Sequence, residues 1–326
     1  MSFSPSLVVF LSFIGFRIFL VASSSSWLLC WVGIELNTLT FIPLMLVLKT
    51  GREGESAIKY FLRQTVASVA FLIGILGVKF YPAFSLIVLV ALFIKIGVAP
   101  FHGWLVSVGE NLDWFVLYLM LTLQKINPLV LLVSLDWIWE FLFFGILFSG
   151  SLGALLGLSQ TSLRKLLIFS SINHLGWLLL ALGVRVSILR TYFIIYCFLL
   201  FPVLAFFIMG GLGYLGQIQR LPVDTSRALV LTRSLLSLGG LPPFLGFFPK
   251  WIVISGAVSI GNYFLVVFLV LMSLFTLFYY LRISYTGFIL TKLVVEPRWF
   301  YSYRASFLVF TLVLSFLGFL VVYFFS

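Results

Sequence analysis

The chain has 326 residues, of which 63% are hydrophobic and 9% charged, with a formal net charge of +11. A soluble domain is about half apolar and about one quarter charged, so too little polar surface is present here to coat a water-soluble particle. The chain reads as a polytopic membrane protein solvated by lipid.

A spanning helix takes about 20 mainly apolar residues. That measure predicts eleven helices, over 5–22, 27–48, 60–79, 84–106, 115–135, 138–158, 165–183, 191–213, 228–257, 263–283 and 305–325. The polar connections are short: "KTGREGES" (49–56), "QIQRLPVDTSR" (217–227) and "SYTGFILTKLVVEPRWFYSYR" (284–304). No soluble domain, linker or cleavable leader is expected. No glycine-rich nucleotide loop is present, and Cys30 and Cys197 read as small core residues rather than ligands of a metal or cluster.

The basic residues fall mainly in loops, which argues for membrane topology and against nucleic-acid binding. On the N-terminal side lie Lys49, Arg52, Lys59, Arg63, Arg164, Lys165, Arg220, Arg227, Arg233, Arg282, Lys292, Arg298 and Arg304. On the other side lie Arg17, Lys79, Arg185 and Arg190. This asymmetry predicts an N-terminus in the matrix or cytoplasm. Glu110, Asp113, Asp136 and Glu140 read as solvated groups at the membrane faces.

Three lysines belong to neither side. Lys95 lies in "ALFIKIGVAP" on the fourth predicted helix, Lys125 in "LQKINPL" on the fifth, and Lys250 in "GGLPPFLGFFPKW" on the ninth. A charge at the bilayer centre costs about 2.5–3.5 kcal/mol on insertion scales. Snorkelling relieves that cost only within about a turn of a helix end, and Lys125 and Lys95 are ten and eleven residues into their helices. Glu35, in "WVGIELNTLTF" on the second helix, is the matching acid. Desolvation favours a neutral amine, and a nearby carboxylate favours a charged one. A carboxylate that approaches and recedes therefore makes a lysine take up and release a proton. Gln124 and Asn127 flank Lys125, and Asn173 adjoins His174 in "SSINHLGW"; His174 is a candidate relay.

Prolines adjoin two of the lysines: Pro100 follows Lys95, and Pro242, Pro243 and Pro249 precede Lys250. Proline frees backbone carbonyls, which at membrane depth must face protein or water. A breaker beside a buried lysine, twice in one chain, marks water-lined cavities. Lys95 is on the fourth helix and Lys250 on the ninth, so each occupies position four of a five-helix unit. Glu35 and His174 likewise occupy position two. The expected organisation is a single all-α membrane domain of two inverted five-helix repeats, 1–135 and 138–283, followed by a C-terminal helix over 305–325.

Six separated segments, "GIELNTLTFIPLM", "ESAIKYFLRQTVAS", "KIGVAPFHGWL", "LQKINPL", "QTSLRKLLIFSSINHLGWLLL" and "SLGGLPPFLGFFPKW", spread over residues 33 to 251. In order and spacing they resemble the NADH dehydrogenase subunit 2 family of animal mitochondria, the antiporter-like membrane-arm subunits of respiratory complex I. The departures are Asn173, where a smaller residue is usual, and Phe248–Pro249 before the lysine. The resemblance implies a proton path along a midplane axis carried by Glu35, Lys95, Lys125, His174 and Lys250. It implies a place in the mitochondrial inner membrane among other membrane-arm subunits. It also implies that this chain binds no cofactor, with NADH, FMN, iron–sulfur clusters and ubiquinone handled elsewhere in the complex. Two other readings fit the same charges: a free-standing cation/proton antiporter, and a structural subunit whose ion pairs are static.

Overall fold

A computed structural model describes residues 5–24, 26–46, 53–135, 139–218 and 225–291. The predicted helix over 305–325 lies outside these. Every named element among the described residues is an α-helix, and the one isolated bridge pairs Ser162 with Tyr214. Among the described residues, seven helices are long and apolar enough to cross a membrane. The chain divides into two compact units, Met1–Gly145 and Ile146–Ser326.

The first unit contains α1 (Pro5–Ser23), α2 (Trp27–Leu46), α3 (Glu53–Val78), α4 (Phe84–Ile96), α5 (Gly103–Gly109), α6 (Trp114–Leu121) and α7 (Leu123–Val133). Helix α3 packs on α2 and α4, and α7 packs on α1, α2 and α4. Helix α3 starts seven residues before the predicted residue 60, and Glu53 and Glu55 in its first turn complement its positive end. Large apolar side chains such as Phe19 and Val66 face outward, as expected where lipid is the solvent.

The second unit is entered on α8 (Trp139–Leu158). It continues through α9 (Leu163–Val184), α10 (Val186–Gly210), a short α11 (Leu215–Ile218), α12 (Thr225–Gly239), α13 (Phe247–Ser259) and α14 (Tyr263–Thr291). Helix α9 is its axis: from Leu166 to Ala181 every residue is buried. Helices α10, α13 and α14 pack around it. Helix α14 runs eight residues beyond the predicted end at 283, into the stretch that composition alone marked as a loop.

Three predicted continuous helices are interrupted. The segment over 84–106 ends its first piece at Ile96, and the breaker is Gly97 rather than Pro100. Gly97 takes φ 80° and returns its N–H to Phe93 O, a left-handed cap that a β-carbon would strain. The segment over 228–257 breaks after Gly239, with Gly240 at φ 82°. Its second piece begins beside the first, because Gly246 lies against the Ser237 carbonyl with no room for a side chain. The segment over 115–135 breaks at Thr122, whose φ of −116° and ψ of −79° leave helical geometry. The Thr122 hydroxyl donates to Tyr118 O at 2.6 Å and so supports the distorted turn.

The tight approach at Gly246 is testable. Gly246→Ala would force α13 off the backbone of α12, at a cost of about 3 kcal/mol. The expected result is a clear drop in the thermal denaturation midpoint of the detergent-solubilised protein.

Candidate functional site

Each buried lysine sits beside one of these interruptions. Lys95 is in the last turn of α4, Lys125 in the first turn of α7 and Lys250 in the first turn of α13. Their exposures are 4%, 1% and 5%, so all three ammonium groups are sealed inside their own unit. At Lys250 the break supplies a backbone carbonyl with no helical donor, that of Gly239.

In the first unit, Lys95 Nζ donates to Gln64 O on α3 at 3.3 Å, and the Gln64 amide nitrogen donates to Lys95 O at 3.4 Å. Glu35 on α2 is within electrostatic reach of Lys95 and of Tyr60. Among the described residues no direct ion pair joins Glu35 to Lys95, and Glu35 Oε2 is buried without a hydrogen bond. The acid and the amine are thus neighbours without a fixed contact. Tyr60, on α3, connects this pair to the next lysine. Its hydroxyl donates to Gln124 Oε1 at 3.4 Å, one residue before Lys125, and its ring packs on Phe41 and Trp104. Pro128, inside α7, lacks the N–H that would bond Gln124 O, so the turn holding Lys125 has a carbonyl to spare. Asn127 is also buried there. Pro100 is exposed within the α4–α5 break.

Arg17 requires a correction. It is not a loop charge; it is 1% exposed in the middle of the first unit. Its Nη1 donates to Asn37 O and to Thr40 Oγ1 of α2, both at 2.5 Å. Composition could not separate it from a flanking arginine, because the serines at 23–26 placed the helix end close by.

In the second unit, Lys250 Nζ donates to Gly239 O at 2.8 Å, capping the C-terminus of α12, and lies 5.7 Å from the centroid of the Trp177 ring. Trp177 is three residues beyond His174 on α9, so Lys250 and His174 share one helix as a wall. Pro249 is buried next to the lysine, Pro243 is half-buried and Pro242 is exposed. His174 Nδ1 is 2.9 Å from Tyr192 Oη, and its ring lies 5.0 Å from that of Tyr196. Asn173 is buried beside it. The tyrosines went unnoticed in the sequence, although Tyr192 and Tyr196 recur at helical spacing within an apolar run. Among the described residues no cluster of three metal-ligating side chains is found.

The family described as NADH:quinone oxidoreductase/Mrp antiporter, transmembrane, matches residues 24–82 and 81–276. NADH-ubiquinone oxidoreductase chain 2 of Anopheles gambiae is 42% identical over 293 residues, 86% of each chain. The chain belongs to this family, in its NADH-ubiquinone oxidoreductase chain 2 branch. The same subunit of Locusta migratoria is 36% identical, over 93% of this chain and 90% of its own. Among solved structures, a chain of respiratory complex I from Thermus thermophilus with bound aureothin aligns with a TM-score of 0.80. It is 25% identical, over 92% of this chain and 73% of its own. A chain of the Mrp complex from Dietzia sp. shares the fold, with a TM-score of 0.71 and 20% identity, over 89% of this chain and 61% of its own. For this family member the lysine-bearing breaks described above all fall inside the matched residues.

The histidine contact gives a stability test. Tyr192→Phe removes the hydroxyl from a buried ring nitrogen, at a cost of about 1–3 kcal/mol. The expected outcome is a lower thermal midpoint, which His174→Phe in the same background would not lower by the full single-variant sum.

Proposed function

We infer that the chain is a membrane-arm subunit of a proton-translocating NADH:ubiquinone oxidoreductase of the mitochondrial inner membrane. The observation that carries this is the coincidence of three sealed lysines with three helix breaks, in a chain whose relatives are NADH-ubiquinone oxidoreductase chain 2. The redox steps belong to other subunits, and this chain holds no cofactor of its own. Its partners are the neighbouring membrane-arm subunits and the lipid around them.

The proton is moved by the lysines. When Glu35 is close, Lys95 keeps its proton; when a charge change next door draws Glu35 away, the sealed amine gives the proton up. Tyr60 and Gln124 offer the hydrogen-bonding step towards Lys125. The order then runs through His174 to Lys250, each group taking up one proton as its predecessor releases one. The order of elements supports two five-helix repeats of inverted topology, since each compact unit carries one glycine-ended helix interrupted beside a lysine. The loop charges still favour a matrix-side N-terminus after Arg17 is removed from the count, thirteen against three.

The assembly reading is checked on a native gel of gently solubilised membranes, stained for NADH dehydrogenase activity, with this chain located by mass spectrometry. It should comigrate with a large active band. Migration alone or in a small inactive oligomer would sink the reading and favour a free-standing antiporter.

The relay has its own prediction. Lys125→Met keeps much of the side-chain volume and removes the amine. Protons moved per NADH oxidised should fall. An unchanged ratio would leave Lys125 as a static charge.

A further inference from the structure

Helices α2, α3, α4 and α7 pack in a ring, each on the next. At the membrane face where α1 ends, α2 and α4 begin and α3 and α7 finish. There the ring stays open. A cavity of about 470 Å³ lies between Trp27 and Leu28 of α2, Ile75 and Leu76 of α3, Val88 of α4 and Leu135 after α7. The opening is not general slackness. On their shared side α3 and α4 touch as closely as glycine permits: a β-carbon at Gly77 would meet the Phe84 ring, and one at Gly74 would meet Val88. Well-packed proteins leave few voids larger than a water molecule. A space of this size falls in the range of ligand pockets.

The lining selects the occupant. The wall is apolar, and apolar cavities do not hold water. Ile75 and Val88 lie three and four residues from their helix ends, about 5–6 Å below the face. Leu28 and Leu76 both line the cavity and reach the outer surface, so hydrocarbon can enter from the surrounding lipid. Exposed Phe80 and Tyr81 follow Lys79 and mark headgroup level.

Polar groups gather on the rim: Ser26, Lys79, Ser85 and Ser134. The Ser85 and Ser134 hydroxyls donate to Pro82 O at 2.7 Å and Leu131 O at 2.8 Å, so their protons are already used. Ser26 Oγ accepts from Leu29 N at 3.4 Å and keeps its own proton to give. Lys79 is exposed, and among the described residues no acid pairs with it. The rim thus offers one ammonium and one hydroxyl donor. No Asp or Glu lines the cavity, so a choline or ethanolamine ammonium finds no partner there.

We propose that this cavity binds an anionic phospholipid, with an acyl chain among Ile75, Leu76 and Val88 and the phosphate on Lys79 and Ser26. The site is independent of the proton relay and of its order. Its occupant joins the ends of α2, α4 and α7, the helices that carry Glu35, Lys95 and Lys125, and so braces that end of the ring.

The test uses native membranes holding the full chain, loaded with a phosphatidylglycerol that carries a photoreactive diazirine on an upper acyl carbon. Irradiation and peptide mapping by mass spectrometry locate the label. The expected result is labelling around Ile75 and Val88, displaced by excess unlabelled phosphatidylglycerol and not by phosphatidylcholine. At subsaturating probe, Lys79→Gln should lower the labelling about fivefold. Lys59→Gln, near the opposite end of α3, should leave it unchanged. Leu76→Trp fills the cavity from an exposed position and should abolish labelling with Lys79 in place. Lys79→Gln alters only an exposed side chain, so it decides the matter if the tryptophan disturbs packing. Equal displacement by phosphatidylcholine, or labelling indifferent to Lys79→Gln, would overturn the proposal. Displacement by palmitate as effective as by phosphatidylglycerol would also overturn it, because the occupant would then be a fatty acid.

Discussion

An ammonium group in hydrocarbon must find oxygen atoms, and the interior carbonyls of an intact helix are already engaged in its own ladder. That constraint organises both units of this chain. A helix break frees carbonyls that a sealed lysine can use, as Lys250 does, whereas Lys95 shares the mid-helix carbonyl of Gln64. Gly97, Thr122 and Gly240 open the ladder, and Lys95, Lys125 and Lys250 sit within a turn or so of the openings or the helix starts that follow them. The Lys250–Gly239 hydrogen bond shows the arrangement most directly, because the lysine caps the half-helix that its own break leaves behind.

In the proposed relay, the same openings make the charges useful. A lysine locked in a direct ion pair holds its proton; one held by weakly placed carbonyls, with the acid nearby but untouched, can respond to small displacements. Glu35 and Lys95 have this relation. Tyr60 gives the pair a second neighbour, and Arg17, which cannot lose its proton, fixes α1 to α2 beside it. In the proposed relay, a permanent cation and an exchangeable one share the first unit.

Much of this was legible in the residues. The helices, the three lysines, Glu35 and His174 follow from hydropathy, because a charge in an apolar run is conspicuous. The breaks were half legible. Prolines drew the eye to 100 and 242–249, yet the turns are made by Gly97 and Gly240, since only glycine reaches positive φ without strain. The Thr122 break has no strong local signal, as threonine is tolerated in helices and Pro128 follows it by six residues. Arg17 was misplaced because burial depends on a partner helix, and the carbonyl of Asn37 and hydroxyl of Thr40 leave no mark in the pattern of charges. Tyrosines in apolar helices were silent for a similar reason: each is unremarkable singly, and only the packing of α9 and α10 brings Tyr192 and Tyr196 to His174.

The central claim is that Glu35 and Lys95 act as one switch rather than as two separate charges. A double-mutant cycle on protons moved per NADH oxidised tests it, with Glu35→Gln, Lys95→Met and the pair together in assembled complex. If they work as a unit, the double variant loses no more than the worse single variant. Losses that simply add would show two independent contributions and contradict the switch.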